Sequence, residues 1–262
     1  MPYAPFDLSG HVALVTGGNS GIGLGMARAL VESGASVSIW GTNEEKNAKA
    51  LAELEGIAAA DGRGQKVAAF RCDVGDEEQV DAAFAGTVEA LGKVDSCFAN
   101  AGIGGGAPSF HEFTLDSWRR VTRVNLDGVF LTFRAAAKHM VERGEGGSLV
   151  VTSSLSAIEG AARNQAYASC KGAVISMVKG LAVEYARYNI RANAVLPGWI
   201  DTPMTEGALA YDRFRDKVLP RIPERRWGEP ADFGGIAVYL ASQASAYHTG
   251  DLIVIDGGYA VF

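Results

Sequence analysis

Short runs of apolar and β-branched residues recur along the chain, and most are followed by a longer stretch in which apolar positions return with helical spacing. Seven such runs predict strands at residues 11–16, 35–40, 66–71, 94–99, 148–153, 190–196 and 251–255. Short strands that alternate with amphipathic helices are typical of βαβ units on a parallel sheet.

The stretches between the runs predict helices at residues 21–33, 44–60, 76–91, 117–143, 163–188 and 231–242. The third begins at Asp76 and has Gln79 three residues later, as a capping box does. In the fourth, Trp118, Phe130 and Phe133 fit core positions. Because crossovers between parallel strands are right-handed, the order predicts a doubly wound, Rossmann-like α/β sheet of about seven strands flanked by helices. Ligands of such a sheet bind at the carboxyl ends of its strands.

No repeat, low-complexity tract or linker divides the 262 residues. One large core can accommodate a chain of this length, so residues 1–262 are predicted to form a single domain. Residues 197–230 differ from the rest because they are proline-rich, charged and weakly periodic. A loop this long inside a compact domain usually has a function, and we expect it to cover a substrate pocket.

The formal net charge of −6 provides no electrostatic footprint for nucleic acid or for an anionic membrane. No apolar run approaches the ~20 residues of a membrane span, and the N-terminus lacks the pattern of a signal peptide. Cys72, Cys97 and Cys170 are scattered and odd in number. They are predicted to be buried, reduced thiols of a cytoplasmic protein. Neither these cysteines nor the histidines have metal-ligand spacing, so no metal is expected.

A glycine-rich turn, TGGNSGIG at residues 16–23, follows the first predicted strand. Gly17 permits a tight turn, while Gly21 and Gly23 lack side chains that would keep a dinucleotide backbone away from the next helix. The free N–H groups and the positive end of that helix attract a pyrophosphate. The spacing is Gly-x-x-x-Gly-x-Gly, and its place at the start of a βαβ array makes it informative.

Three polar side chains are predicted to meet farther along the chain. Tyr167 and Lys171 stand one helical turn apart, and Ser154 lies thirteen residues before Tyr167, next to a strand end. An adjacent ammonium lowers the pKa of a phenol from its usual value of ~10, which suits the phenol to proton transfer. Ser154 would donate a hydrogen bond to the substrate oxygen as hydride arrives or leaves. The spacing to Tyr167 favours Ser154 over its neighbours Ser153 and Ser156.

With these residues the chain resembles the short-chain dehydrogenase/reductase family along nearly all of its length. The matching motifs are residues 16–23, Cys72-Asp73-Val74, Asn100-Ala101-Gly102, Asn125, Ser154, Tyr167 with Lys171, Pro197-Gly198 with Thr202, and Asp256-Gly257-Gly258. The resemblance implies an NAD(P)-dependent enzyme that interconverts a secondary alcohol and a ketone by hydride transfer, with Tyr167 as general acid and base.

The resemblance also assigns residues to the site. For catalysis it implies Asn125, Ser154, Tyr167 and Lys171. For the cofactor it implies Gly17, Asn19, Ser20, Gly21, Ile22, Gly23, Thr42, Asp73, Val74, Asn100, Ala101, Gly102, Tyr167, Lys171, Pro197, Gly198, Ile200 and Thr202. In the family, Asp73 would contact the adenine and Lys171 the nicotinamide ribose. Asn125 would distort its helix and hold a water that links Lys171 to solvent.

The end of the second strand bears on the choice between NAD and NADP. An acidic residue there binds the ribose 2′-hydroxyl and repels a 2′-phosphate. Gly41 occupies that position, and Thr42 stands where many NADP enzymes of the family have arginine. Nothing at these two positions repels a phosphate, and Lys46 is near, which favours NADP. Glu44 and Glu45 follow closely, and the turn has no arginine, so NAD remains open.

The expected partner is a small-molecule alcohol or ketone, which could be a sugar or polyol, a steroid, a β-ketoacyl thioester or another small ketone. Acyl-carrier-protein reductases of the family usually carry arginines at the positions of Glu145 and Tyr188. Their absence favours a small free substrate, although Arg187 is adjacent, and 3-oxoacyl thioester reduction stays an alternative.

A non-catalytic dinucleotide-binding regulator is a second alternative. The intact set of Asn125, Ser154, Tyr167 and Lys171 counts against it, because a sensor has no chemical need for all four. The resemblance also implies a homotetramer, with one contact through the helices at residues 117–143 and 163–188 and another through the final strand region.

Overall fold

All the strands of the computed structural model, which describes residues 4–262, lie in one parallel sheet. They are β1 (Val12–Thr16), β2 (Ser36–Gly41), β3 (Val67–Arg71), β4 (Ser96–Ala99), β5 (Gly147–Thr152), β6 (Ile190–Pro197) and β7 (Leu252–Ile255). Their order is β3-β2-β1-β4-β5-β6-β7. The winding reverses between β1 and β4, which confirms the doubly wound α/β fold and places a ligand crevice at the carboxyl ends of these strands.

The helices pack on both faces of the sheet. They are α1 (Gly21–Glu32), α2 (Glu44–Asp61), α3 (Glu77–Leu91), α4 (Leu115–Thr122), α5 (Gly128–Arg143), α6 (Gln165–Tyr185), α7 (Glu206–Leu209), α8 (Asp212–Val218) and α9 (Gly234–Ala241). Local side chains fix several helix starts. Asp76 accepts a hydrogen bond from the Gln79 backbone N–H at 3.1 Å, and the Gln79 amide donates back to its carboxylate at 2.8 Å. The predicted cap at Asp76 is therefore present, but the capping box is incomplete because the Gln79 side chain binds the Asp76 carboxylate and not its backbone N–H.

The predicted helix at residues 117–143 is interrupted. A π-helical turn at Arg123–Asp127 separates α4 from α5. Within it, the Asn125 side-chain amide donates to the carbonyls of Val121 at 3.0 Å and Ile103 at 2.9 Å. Single π-turns often mark functional sites, and a search for 3.6-residue periodicity does not detect them. The core prediction was also wrong for Phe130, which is 49% exposed, whereas Phe133 is 2% exposed.

Two apolar layers fill the space between the sheet and its helices, because successive strand residues point to opposite faces. Leu14 and Cys97 face the layer that packs against α3, α5 and α6. Their neighbours Val15 and Phe98 face the layer that packs against α1, α2 and α9. Each fully buried large apolar side chain contributes about 1.5–3 kcal/mol, so the two layers hold the strand ends in fixed register.

The segment between β6 and α9 contains more regular structure than its sequence predicted. It includes α7, α8 and a 3₁₀ turn at Leu219–Arg221. Ile200 and Gly228 form an isolated parallel bridge, in which the Asp201 N–H donates to the Gly228 carbonyl at 2.8 Å. The two ends of the segment therefore meet at its base. No helix within residues 4–262 combines the length and apolar character that a bilayer span needs.

Candidate active site

A cleft of about 590 Å³ opens at the carboxyl ends of the strands. The predicted residues along its walls are Gly17, Asn19, Ser20, Gly21, Ile22, Thr42, Asp73, Val74, Asn100, Ala101, Gly102, Ser154, Tyr167, Lys171, Pro197, Gly198, Ile200 and Thr202. Gly23 and Asn125 are buried beside the cleft and do not line it. The structure thus brings the predicted cofactor residues and the predicted catalytic residues to one place.

The glycine turn has the shape that a pyrophosphate requires. Gly17 and Gly21 adopt left-handed backbone conformations, with φ of 65° and 52°. A Cβ at Gly23 would lie 2.3 Å from the Gly17 carbonyl oxygen, so only glycine lets the turn approach the helix. The side chain of Ser20, the residue before α1, makes no capping hydrogen bond. The first N–H groups of α1 therefore remain available to an anion, and the turn fits a dinucleotide.

The space beside Gly41 explains why no acidic residue stands there. A Cβ at Gly41 would lie 2.2 Å from Asn19 Nδ2 and 2.7 Å from Asn47 Oδ1. These two amides hydrogen-bond each other at 2.7 Å and occupy the space a carboxylate would need. Thr42 and Lys46 line the cleft next to them. This end of the cleft therefore presents a hydroxyl and an ammonium toward the place of an adenosine ribose.

An ion pair that sequence reasoning missed lies at the same end. Arg123, in the π-turn, donates to Asp73 at 2.8 Å, and both residues line the cleft. The carboxylate also accepts a hydrogen bond from the Gly75 N–H at 3.0 Å. Asp73 is thus held in one orientation beside Val74. Fifty positions separate Arg123 from Asp73 in sequence, and neither residue carries a local signal that predicts the pair.

Ser154, Tyr167 and Lys171 converge at the other end of the cleft. Ser154 and Tyr167 line the same part of the cleft, and the Ser154 hydroxyl is near enough to the phenol to lower its pKa. Lys171 Nζ lies 5.4 Å from the centre of the Tyr167 ring and donates to the Thr152 carbonyl at 2.7 Å. Ser153 instead donates to the Lys171 carbonyl at 2.8 Å. The geometry therefore places Ser154, and not Ser153, beside the phenol.

The pKa of Tyr167 shifts in the direction opposite to the prediction. Burial raises the pKa of Tyr167 above its ordinary value, and the nearby Ser154 hydroxyl only opposes that shift. In this structure the Lys171 ammonium binds the Thr152 carbonyl and lies over the Tyr167 ring. Burial also lowers the pKa of Lys171 to about 8. Of the two groups, the lysine is the one whose pKa lies near neutrality.

A line of hydrogen bonds joins the two ends of the cleft. Asn100 Nδ2 donates to the Thr16 carbonyl at 3.1 Å, beside the glycine turn. Asn100 Oδ1 accepts from the Thr152 hydroxyl at 3.0 Å. The carbonyl of the same threonine holds the Lys171 ammonium. Thr152 therefore connects the cofactor turn to Lys171 across three strands. Sequence reasoning missed it, since a threonine at the end of a buried strand has no distinguishing pattern.

Asn125 lies immediately behind this region and is fully buried. Its Oδ1 accepts a hydrogen bond from the Ile103 N–H at 3.2 Å. A Cβ at Gly102 would lie 2.7 Å from Asn125 Oδ1 and 3.6 Å from Lys171 Nζ, so the three residues are close neighbours. The helix distortion expected at Asn125 is present as the π-turn. The part of Asn125 in a proton relay stays a prediction.

One crevice of this doubly wound sheet contains both a turn that fits a dinucleotide and a cluster of serine, tyrosine and lysine. This combination defines a nicotinamide-nucleotide-dependent oxidoreductase. Residues 17–260 match a family model described as enoyl-(acyl carrier protein) reductase. The chain is 37% identical over 254 residues to 2,5-dichloro-2,5-cyclohexadiene-1,4-diol dehydrogenase of Sphingobium indicum, with coverage of 97% of this chain and 98% of that protein.

Two crystal structures are also similar. A short-chain type dehydrogenase/reductase from Mycobacterium marinum has a TM-score of 0.90 and 38% identity, with 97% of each chain covered. A gluconate 5-dehydrogenase from Burkholderia cenocepacia, in complex with NADP and tartrate, has a TM-score of 0.90 and 35% identity, with 98% of each chain covered. The chain belongs to the short-chain dehydrogenase/reductase family.

We predict that Thr152→Val weakens NADPH binding about tenfold. Valine keeps the shape of threonine but leaves Asn100 Oδ1 without its donor, and a buried unsatisfied acceptor costs about 1–3 kcal/mol. Thr152→Ser restores the donor and should stay within about twofold of the wild type. Fluorescence titration with NADPH measures the dissociation constants. Equal affinities in the valine and serine variants would show that the hydroxyl does not position the cofactor turn.

Proposed function

We propose that this enzyme interconverts a small, free secondary alcohol and its ketone, with NADP preferred over NAD and with Tyr167 as the general acid and base. Its class, an NAD(P)-dependent dehydrogenase/reductase that acts on CH–OH groups, follows from its family. The observation that carries the residue assignment is the proximity of Ser154 to Tyr167, beside buried Lys171, in the cleft that also contains the glycine turn.

The proposed chemistry assigns one task to each side chain. When bound, the oxidised nicotinamide supplies the acceptor for a hydride. During oxidation Tyr167 removes the hydroxyl proton of the alcohol, and Ser154 donates a hydrogen bond to the same oxygen. Lys171 stabilises the charge of the deprotonated phenol. Asn125 holds a water that lets Lys171 exchange the proton with solvent. Reduction of the ketone runs through the same groups in reverse.

The preference for NADP rests on the space around the second strand end. Gly41 leaves no carboxylate to repel a 2′-phosphate, because Asn19 and Asn47 fill that space. Thr42 and Lys46 line the cleft there and can donate hydrogen bonds to a phosphate. The gluconate dehydrogenase from Burkholderia cenocepacia, which is similar over its full length, was crystallised with NADP.

Two positions support a small, free substrate. Enzymes that dock an acyl carrier protein usually have arginine at both, and this chain has it at neither. Glu145 is exposed and pairs with Arg143 at 3.1 Å. Tyr188 lies under the Arg187 guanidinium, 4.8 Å from ring centre to Cζ. Reduction of a 3-oxoacyl thioester is the second candidate, because a 3-oxoacyl-[acyl-carrier-protein] reductase of Chlamydia pneumoniae is 35% identical to this chain over 251 residues. We further propose that residues 197–230 cover the substrate, since both ends of this segment meet at the cleft.

A homotetramer in the cytoplasm completes the proposal. Phe130 on α5 is 49% exposed and Val183 on α6 is 82% exposed, on the helices expected to form one contact. Val261 and Phe262, near the last strand, are also exposed. The three cysteines are free and buried, as suits a reducing compartment. Light scattering should give four times the chain mass, and cell fractionation should recover the protein in the cytosol. A monomer would contradict the assembly, and a membrane or secreted fraction would contradict the location.

Tyr167→Phe tests the assignment of the acid and base. We expect it to reduce alcohol oxidation at least 1000-fold, because general acid–base catalysis contributes about 10²–10⁴-fold and phenylalanine cannot take the proton. NADPH binding should remain within about threefold. The assay follows NAD(P)H formation with both cofactors across secondary alcohols, polyols, hydroxysteroids and β-hydroxyacyl esters. Wild-type turnover in the variant would refute the assignment. Tight NADPH binding without turnover of any alcohol would support a regulator instead.

The pH dependence of kcat/KM should report the lysine–tyrosine pair. Oxidation needs the pair to accept a proton and reduction needs it to donate one. Because burial places the pKa of Lys171 at about 8 and raises that of Tyr167, the first proton leaves the pair near that pH. Oxidation should therefore rise with pH and level off above about 8, and reduction should fall there. Lys171→Met should move the midpoint upward. A profile that is flat across this range would contradict the coupling.

A further inference from the structure

We infer that the pocket beside Ser154 accepts a substrate whose groups next to the reacting carbon are apolar, such as an alicyclic or arylalkyl secondary alcohol, in preference to a sugar acid or polyol. This inference rests on the proposed function and specifies its substrate class. Four observations carry it: the apolar cluster that follows the serine, the exposed apolar side chains on neighbouring segments, the charges along the cleft and the partners of the nearby arginines.

An apolar cluster includes the residues that directly follow two residues of the cleft lining. Leu155 directly follows Ser154, and Trp199 directly follows Gly198, which lines the cleft. Both belong to one apolar cluster, which also contains Phe214 of α8 and the buried residues Val218, Ile222 and Tyr259. The rings of Trp199 and Phe214 meet edge to face with their centres 4.8 Å apart. An apolar ring that packs against this cluster gains apolar contacts and leaves no hydroxyl without a hydrogen-bond partner.

The segments that follow the strands at the cleft carry exposed apolar side chains. Met204 lines the cleft and is 54% exposed. Phe110, Ile158 and Tyr211 are also more than half exposed, and they lie on the segments that follow β4, β5 and β6. The carboxyl ends of these three strands surround the reaction site. Large apolar residues left in water around a cleft are typical of a surface that binds an apolar ligand.

The charges along the cleft lie mainly toward the nucleotide end. Within residues 4–262, the charged residues that line it are Lys46, Asp73, Arg120, Arg123 and Lys171. Arg123 pairs with Asp73, and Arg120 lies three residues earlier on the same face. Lys46 follows the second strand. Lys171 is bound to the Thr152 carbonyl. Among the lining residues between positions 152 and 205, Lys171 is the only charged one.

Four arginines of the segment between β6 and α9 have partners of their own, whereas Arg213 on α8 is exposed. Arg221 donates to the Tyr259 hydroxyl at 2.7 Å, and Arg225 donates to the Pro220 carbonyl at 2.6 Å. Arg226 pairs with Asp232 at 2.7 Å, and Arg215 pairs with Asp212 at 2.8 Å. Outside the segment, Arg163 is exposed in the loop after β5, and its left-handed backbone has φ of 66°. Arg163 and Arg120, which lines the cleft, are therefore the cations to remove when a substrate carboxylate is tested.

The test compares kcat/KM for cyclohexanol, 1-phenylethanol and gluconate, with NADP. We expect each apolar alcohol to exceed gluconate at least tenfold, because one methylene group in an apolar pocket changes kcat/KM about 10- to 200-fold. Met204→Gln keeps the length of the side chain but makes it polar, and it should lower kcat/KM for 1-phenylethanol roughly tenfold. Tyr247→Gln is the matched control, since Tyr247 is fully exposed and lies away from the cleft, near the amino ends of the strands. It should leave all three values unchanged.

Two results would overturn the inference and leave the proposed function intact. One is faster turnover of gluconate than of both apolar alcohols, most clearly if Arg163→Gln or Arg120→Gln then abolishes the gluconate activity. The other is an equal loss for all three substrates in Met204→Gln, which would show that Met204 acts only through the cofactor. Failure to oxidise any alcohol in the wider panel, with either cofactor, would refute the proposed function itself and this inference with it.

Discussion

The buried ammonium of Lys171 constrains the rest of the site. A charged group removed from water is costly unless hydrogen bonds compensate it, and Lys171 is only 3% exposed. Its compensation comes from the Thr152 carbonyl at the end of β5. That carbonyl has a fixed position because the Thr152 side chain is tied through Asn100 to the turn after β1. The position of the Lys171 charge therefore depends on both the strand ends and the cofactor turn.

This arrangement also requires backbone segments to approach each other closely, which only glycine allows at two positions. Gly102 leaves space for Asn125 Oδ1, and Gly23 leaves space for the Gly17 carbonyl. The π-turn then places Asn125 where its side chain holds the loop after β4. These contacts use backbone groups on both sides, so side chains larger than glycine at either position would displace the strands that support Lys171.

The strands, the order of the helices and most of the cleft could be predicted from the sequence because they depend on local pattern. Apolar runs predicted all seven strands, and the glycine turn predicted where a dinucleotide fits. The misses share one cause. The partner of Thr152, the amides that fill the space beside Gly41, and the ion pair of Asp73 each join residues that are distant in sequence. The direction of the Tyr167 pKa shift also depends on burial, which the i, i+4 spacing alone does not determine.

The difference between local sequence pattern and contacts across the fold also explains why the reaction class is easier to predict than the substrate. The hydride and proton chemistry depends on groups at strand ends and on one helix, whose positions follow from the sheet. The residues inferred to select the substrate, such as Trp199, Phe214 and Met204, instead lie in the weakly periodic segment between β6 and α9. The packing of Trp199 and Phe214 into an apolar cluster emerges only when α8 packs against the residues that follow β6. The inferred selectivity therefore depends on tertiary contacts of a segment whose sequence carries little local pattern, above a reaction site that the parallel sheet largely determines.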